Sequence, residues 1–172
     1  MAEAGVRLVY GGGSVGLMGT IARTVLDAGG AVTGIIPSFL QSRERPMDDI
    51  TELVVTDDMH ARKMMMFERA DAFVALAGGV GTLEELVEQM TWAQLGRHTK
   101  PVLLANIGGF WDPLIRLLDA MRREKFIRAD LEISPLIAKR AEDIVPMLQR
   151  ATARRTEPKL EETVAAEPLS RM

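Results

Sequence analysis

A chain of 172 residues with 47% hydrophobic content, a mean hydropathy of +0.06 and a formal charge of -3 is long enough to bury one proper core. Its slight acidity and lack of a basic stripe argue against nucleic acid as a partner, and no apolar run reaches the roughly 18 residues that a membrane span requires. It has no cysteine, which excludes disulfides, thiol catalysis and zinc–thiolate sites, and two histidines, His60 and His98, are too few for a histidine-rich metal centre, so no metal is expected.

Met1 to Gly5 reads as the last turn of a helix with a glycine stop, leading straight into an apolar strand over 6–10. A doubly wound sheet usually has a strand before such a helix, so the native gene product is expected to begin upstream. Gly11-Gly12-Gly13-Ser14-Val15-Gly16 follows the strand directly, and a helical pattern then covers 17–28, closed by Gly29-Gly30. This cluster matches G-x-G-x-x-G, but a dinucleotide site wants an acidic residue about twenty positions later. The next strand, 31–36, ends in Pro37-Ser38, which disfavours an NAD-dependent oxidoreductase. Neither glycine cluster in the chain ends in G-K-[ST], so an ATP-type phosphate loop is disfavoured as well.

The connection 41–49 is polar and long, which hints at binding, although its Glu44 reads equally well as a solvated carboxylate. A strand over 51–55 precedes the helix 57–69, DDMHARKMMMFER. Helical spacing puts Met59, Arg62, Lys63 and Met66 on one face and turns Met64 and Phe67 toward the core. Arg62 and Lys63 together suit an anion, one as a planar fork and the other as a point charge, but a solvated basic patch has the same pattern.

An apolar strand over 71–76 feeds Ala77-Gly78-Gly79-Val80-Gly81-Thr82-Leu83-Glu84-Glu85. Its glycines allow a ligand close to the backbone, and unpaired N–H groups at a helix start attract phosphate. Two readings stay open: an anion loop with Glu85 facing the ligand, or a capping box with Thr82 as N-cap and Glu85 three residues on. The helix 82–95 carries Thr91 and Trp92, which fit packing or ligand contact alike. A strand over 101–106 ends in Asn106-Ile107-Gly108-Gly109-Phe110, a pocket rim or a plain turn. A helix over 112–124, a weaker strand over 135–139 and a helix over 141–152 complete the pattern. Residues 1–153 read as one domain, and 154–172, rich in Ala, Glu, Pro and Arg, as a disordered tail. Alternating short apolar strands and helices predict an α/β fold, a Rossmann-like doubly wound parallel sheet with helices on both faces. Both glycine clusters then lie at carboxyl ends of strands, where such sheets bind ligands.

Four collinear motifs, YGGGSVGLMG (10–19), MHARKMMM (59–66), AGGVGTLEE (77–85) and TWAQLGRHTKP (91–101), closely resemble the LOG ("lonely guy") family of cytokinin-activating phosphoribohydrolases, whose members have also carried the label lysine decarboxylase. The resemblance runs from about Val6 to Leu148. The family signature P-G-G-x-G-T-x-x-E is matched at Gly78, Gly79, Gly81, Thr82 and Glu85, with Ala77 in place of the proline. The resemblance implies a homodimer with nucleotide sites near the subunit interface and no cofactor. The apolar content of the helices 57–69 and 82–95 puts them near that interface, and Met1 to Gly5, lacking a secretory pattern, leave the cytoplasm as the expected location. It implies hydrolysis of the N-glycosidic bond of N6-substituted adenosine 5′-monophosphates to free base and ribose 5-phosphate. Carried over by motif, Arg62 and Glu85 form the catalytic pair. Lys63, Gly78, Gly79, Val80, Gly81, Thr82, Leu83, Glu84, Thr91 and Glu44 contact substrate, together with Gly12, Gly13 and Ser14 of the first loop. The family usually carries a further strand, a serine-containing loop and most of a helix ahead of the segment matching Val6. The alternatives are a non-catalytic nucleotide-binding protein of the same fold and an AMP nucleosidase-like activity. Lysine decarboxylation is disfavoured, because no lysine stands in a recognisable pyridoxal phosphate setting.

Overall fold

The computed structural model describes residues 1–47, 49–127 and 134–156. Strand and helix alternate in the order β1 (Leu8–Tyr10), α1 (Gly16–Asp27), β2 (Val32–Pro37), α2 (Gln41–Glu44), β3 (Glu52–Thr56) and α3 (Met59–Arg69). The second half repeats the alternation with β4 (Phe73–Ala75), α4 (Val80–Gln94), β5 (Val102–Ala105), α5 (Asp112–Arg123), β6 (Leu136–Ala138) and α6 (Ala141–Thr156). All strand pairs are parallel, and they form two three-stranded sheets ordered β1-β2-β3 and β4-β5-β6. Register is set by pairs such as Tyr10 with Gly34, Ile35 with Val54, and Ala75 with Leu104.

The strand sequences explain this burial. β2 (VTGIIP) and β5 (VLLA) are buried at every position, as continuous apolar runs in helix-covered parallel sheets should be. Successive β5 side chains point to opposite faces. Leu104 packs with Leu86 and Met90 of α4 and Leu118 of α5, while Leu103 and Ala105 pack with Ile144, Met147 and Leu148 of α6. In the first sheet, Tyr10 and Val32 pack on Ala22 and Val25 of α1. The doubly wound α/β arrangement expected from the alternation is the one observed.

Several boundaries depart from expectation. α4 starts at Val80 with Gly79 as its N-cap and no side-chain cap, so Thr82 is not the cap and the capping-box reading is overturned. The connection expected to be a loop over 41–49 contains the helical turn α2, with Glu44 at its last position. α6 continues to Thr156, so residues 154–156, read as the start of a tail, are helical, and the rest of that tail lies outside the described residues. Ala2–Ala4 form a 3-10 turn stopped by Gly5 at φ 64°, as the glycine stop implied. Among the described residues no helix is long and apolar enough to cross a membrane.

Candidate active site

The carboxyl ends of β1 and β4 bring the two glycine clusters to one region, with α3 between them in sequence. The first cluster is packed tightly. Arg62, 5% exposed, donates from Nη2 to the Gly11 carbonyl at 3.2 Å and from Nη1 to the Met59 sulfur at 3.7 Å. A side chain at Gly11 would overlap that guanidinium. Gly12 sits at φ 82°, a left-handed conformation that glycine adopts without penalty. The cluster is also strapped to the α2 turn: the Ser14 N–H donates to the carbonyls of Glu44 and Arg45, each at 3.2 Å, and Gly13 bridges to Pro46. The Glu44 side chain therefore lies against Gly13, where a Cβ would be 3.3 Å from Oε2.

The second cluster is open. Gly79 and Gly81 have nothing within 4 Å of where a Cβ would stand, and Val80 is 83% exposed. The first backbone bond of α4 runs from the Leu83 N–H to the Gly79 carbonyl at 3.1 Å. The N–H groups of Val80, Gly81 and Thr82 accordingly have no acceptor within the helix and point out of its positive end. Gly78 is needed for a different reason, since a Cβ there would collide with the Thr82 side chain.

Glu85 stands on the second turn of α4. Burial pushes its carboxyl above the ordinary glutamate value, Arg62 offsets part of that rise, Glu84 adds to it, Lys63 offsets and Glu44 adds again. Glu85 thus feels Arg62, Lys63 and Glu44, although the four come from three separate helices. Three of the charged groups gathered here keep a buried polar atom without a hydrogen-bond partner: Arg62 Nε, Glu44 Oε2 and Glu88 Oε2. Such unpartnered atoms cost free energy and mark where a ligand would be held. A cavity of about 150 Å³ is lined by Lys63, Thr82, Glu85 and Glu88 together with Val9, Met66, Phe73 and Leu86.

Lys63 is engaged rather than free. Its ammonium donates to Glu84 at 2.7 Å and to Glu88 at 2.9 Å, and these carboxylates, Glu84 first, raise its pKa. The pair joins α3 to α4, so the helices bearing Arg62 and Glu85 are tied directly. Glu88 was not singled out from the sequence; its i, i+4 spacing from Glu84, which gives both carboxylates one face of α4, was the available signal. Leu83 and Glu84 are exposed residues of the α4 start. Thr91 is exposed, gives its hydroxyl to the Val87 carbonyl at 2.8 Å, and does not line the cavity.

The aromatic residues behind the site are structural. Trp92 packs edge-on against Phe67 and lies under the Arg97 guanidinium, 4.1 Å from the ring centre. His98 is buried, with Nδ1 accepting from the Lys100 backbone N–H at 3.1 Å and Nε2 3.0 Å from the Gln89 carbonyl. Burial lowers its pKa, consistent with a neutral ring whose Nε2 carries the proton. His60 is exposed.

A family model described as "Possible lysine decarboxylase" matches residues 18–148. The chain is 47% identical over 152 residues to a protein of Oryza sativa subsp. japonica named "Probable cytokinin riboside 5'-monophosphate phosphoribohydrolase LOGL1", covering 88% of this chain and 68% of that one. It is 46% identical over 149 residues to the "Cytokinin riboside 5'-monophosphate phosphoribohydrolase LOG2" of Arabidopsis thaliana, covering 87% of this chain and 70% of that one. Among solved structures, the molybdenum cofactor binding protein from the phototrophic bacterium Rippkaea orientalis superposes with a TM-score of 0.58 at 24% identity, over 87% of this chain and 79% of that one. That likeness establishes the fold and nothing about ligands.

Proposed function

The chain belongs to the LOG family, and on that premise we propose that it hydrolyses the N-glycosidic bond of cytokinin riboside 5′-monophosphates, releasing the free base and ribose 5-phosphate. The observation that carries the reading is a desolvated Glu85 coupled to Arg62 beside a helix start with open backbone amides. The 5′-phosphate sits on the N–H groups of Val80, Gly81 and Thr82, where the helix dipole favours negative charge. Breaking the ribosyl bond develops positive charge on the sugar, as in glycoside hydrolysis. Ionised Glu85 stabilises that charge and orients or deprotonates the attacking water. Arg62 anchors the nucleotide or assists the departing base through its unpartnered Nε. Glu44 offers its buried free oxygen to a substrate hydroxyl. Gly12, Gly13 and Ser14 form the opposing wall, and Lys63 holds α3 and α4 at the spacing the reaction needs.

The family model's description raises a second chemistry, amino-acid decarboxylation. A Schiff-base lysine has to lose its proton, and Lys63 is held protonated by two carboxylates. The site therefore favours glycosidic cleavage.

We also assign the protein a homodimeric state. Val80, Leu83 and Val87 form an exposed apolar stripe along α4, at helical spacing. Sedimentation at micromolar concentration should show a dimer, and Val87→Asp should shift it to monomer; a compact wild-type monomer overturns the assignment.

The function is tested by incubating the protein with AMP and with isopentenyladenosine monophosphate and measuring released base. Release should be seen with the cytokinin nucleotide, and Glu85→Gln should lower turnover by about a hundredfold or more. Nucleotide binding without release would establish the non-catalytic alternative, and full activity in Glu85→Gln would place the catalytic group elsewhere.

A further inference from the structure

The turn after β5, Asn106 to Trp111, lies outside the site just described, yet it is held by more specific contacts than a connection requires. The Asn106 side chain accepts the Trp111 backbone N–H at 2.7 Å and donates to the Asp112 carboxylate at 2.7 Å. Its own backbone N–H reaches the Ala138 carbonyl at 2.8 Å, which ties the turn to the end of β6. Gly108 and Gly109 take left-handed φ values of 65° and 78°, and a Cβ at Gly109 would stand 2.8 Å from Asp112 Oδ2. Ile107 and Phe110 remain about half exposed, at 48% and 46%, so the turn does not serve to fill the core with them. What the turn buries is Trp111, 5% exposed, and the indole Nε1–H donates to the carbonyl of Ala75 at 3.2 Å.

Ala75 is the last residue of β4, and the chain leaves the sheet there to run through Leu76, Ala77 and Gly78 to the Gly79 cap of α4. We infer that Trp111 is a positioning residue for the phosphate-binding start of α4: its indole fixes the root of the loop, and Asn106, itself bonded to Asp112, holds the Trp111 backbone that carries the indole. The inference rests on the reading of this loop as the phosphate site. A carbonyl held on one side by β5 pairing and on the other by a buried N–H cannot rotate freely, so the direction in which the next residues leave the sheet is set. Without the indole donor, the Ala75 carbonyl would keep only its strand pairing with β5, and the chain leaving the sheet after it would lose the contact that fixes its direction.

Trp111→Phe keeps an aromatic ring in the cluster with Leu86, Met90, Val102 and Leu118 while deleting the donor. Amide hydrogen exchange should accelerate in residues 76–82 and stay unchanged in β5, 102–105. The KM for the nucleoside monophosphate, and the Kd for ribose 5-phosphate, should rise about tenfold, with kcat changed by less than about twofold. Trp111→Tyr, whose hydroxyl can still donate, should recover part of the affinity. Should Trp111→Phe fail to fold, Asn106→Ala keeps the indole but removes the acceptor that holds the Trp111 backbone N–H, and should show the same local exchange pattern. Equal acceleration in 76–82 and 102–105 would show a merely structural tryptophan and overturn the inference, as would unchanged exchange and KM. The exchange readout needs no turnover, so a wild-type protein that releases no base would defeat the hydrolase reading while this one stands or falls on the loop itself.

Discussion

After β1, the glycines are crowded: an added Cβ would overlap the Arg62 guanidinium at Gly11, stand 3.1 Å from the Ile36 Cβ at Gly12, and 3.0 Å from the Met18 methyl at Gly13. After β4, Gly79 and Gly81 face empty space, with no positive φ at either. The same residue type therefore serves two purposes. In the first cluster glycine lets protein pack against backbone, so that a buried arginine can be seated there. In the second it leaves backbone amides uncovered, so that something other than protein can approach. A glycine-rich loop is evidence of close approach, and only the surroundings say what approaches.

The sharpest way to break this contrast is Gly11→Ala. The obstructing atoms are the far end of a flexible side chain, so the fold should absorb the methyl by displacing Arg62. Thermal unfolding should change little, while base release falls by about a hundredfold, the cost of one misplaced electrostatic group. Retained activity would mean that the arginine works from elsewhere or does not work at all.

Gly12→Ala should behave in the opposite sense. Here the neighbours are β2 backbone and the Cβ of Ile36, and φ is 82°. The left-handed conformation alone costs about 1–2 kcal/mol for a residue with a side chain. Denaturant midpoints should fall accordingly, with the loss of activity following the loss of folded protein.

In the second cluster, Gly81→Ala should separate stability from binding. The position is inside the first turn of α4, has ordinary helical backbone space and meets no neighbour. Replacing glycine by alanine in a helix gains up to about 1 kcal/mol. The melting temperature should rise slightly while the affinity for ribose 5-phosphate drops, because the methyl stands where the phosphate approaches. A variant that is more stable and binds as well would show that the open face is unused.

Much of this was legible in the residues. The alternation of apolar strands with amphipathic helices fixed the α/β class, and the positions of Arg62 and Glu85 in their motifs pointed to the pair that the fold brings within electrostatic reach. What stayed hidden depended on contacts between segments remote in sequence. An Arg-Lys pair on a helix reads as a solvated patch; that Arg62 is buried follows from a bond to Gly11, 51 residues away. The capping-box reading failed because Thr82 and Glu85 have the right spacing, yet Thr82 is packed against Gly78 and the helix begins before it. Lys63 looked like a phosphate ligand because its partners, Glu84 and Glu88, belong to another helix. Trp111 gave no local sign of its role, since the carbonyl it holds lies 36 residues earlier.

The smallest expected effect concerns stability and tests whether Glu85 is strained by its site. Burial raises its pKa in the folded protein above the unfolded value, with Arg62 compensating only in part. The folded state therefore binds the Glu85 proton more tightly than the unfolded state does. Stability from this group is fully present below the unfolded pKa and is lost as pH rises through the folded one. At neutral pH the ionised Glu85 is a net cost, so Glu85→Gln should be more stable than the wild type there. The advantage should shrink as pH falls and vanish once both states of the wild type carry a protonated Glu85, below the ordinary glutamate range of about 4.3. Paired unfolding curves across that range measure it directly. An advantage that grows on acidification would mean that Glu85 is stabilised as a carboxylate, and the open second cluster would then face a satisfied ion pair instead of a poised catalytic acid–base group.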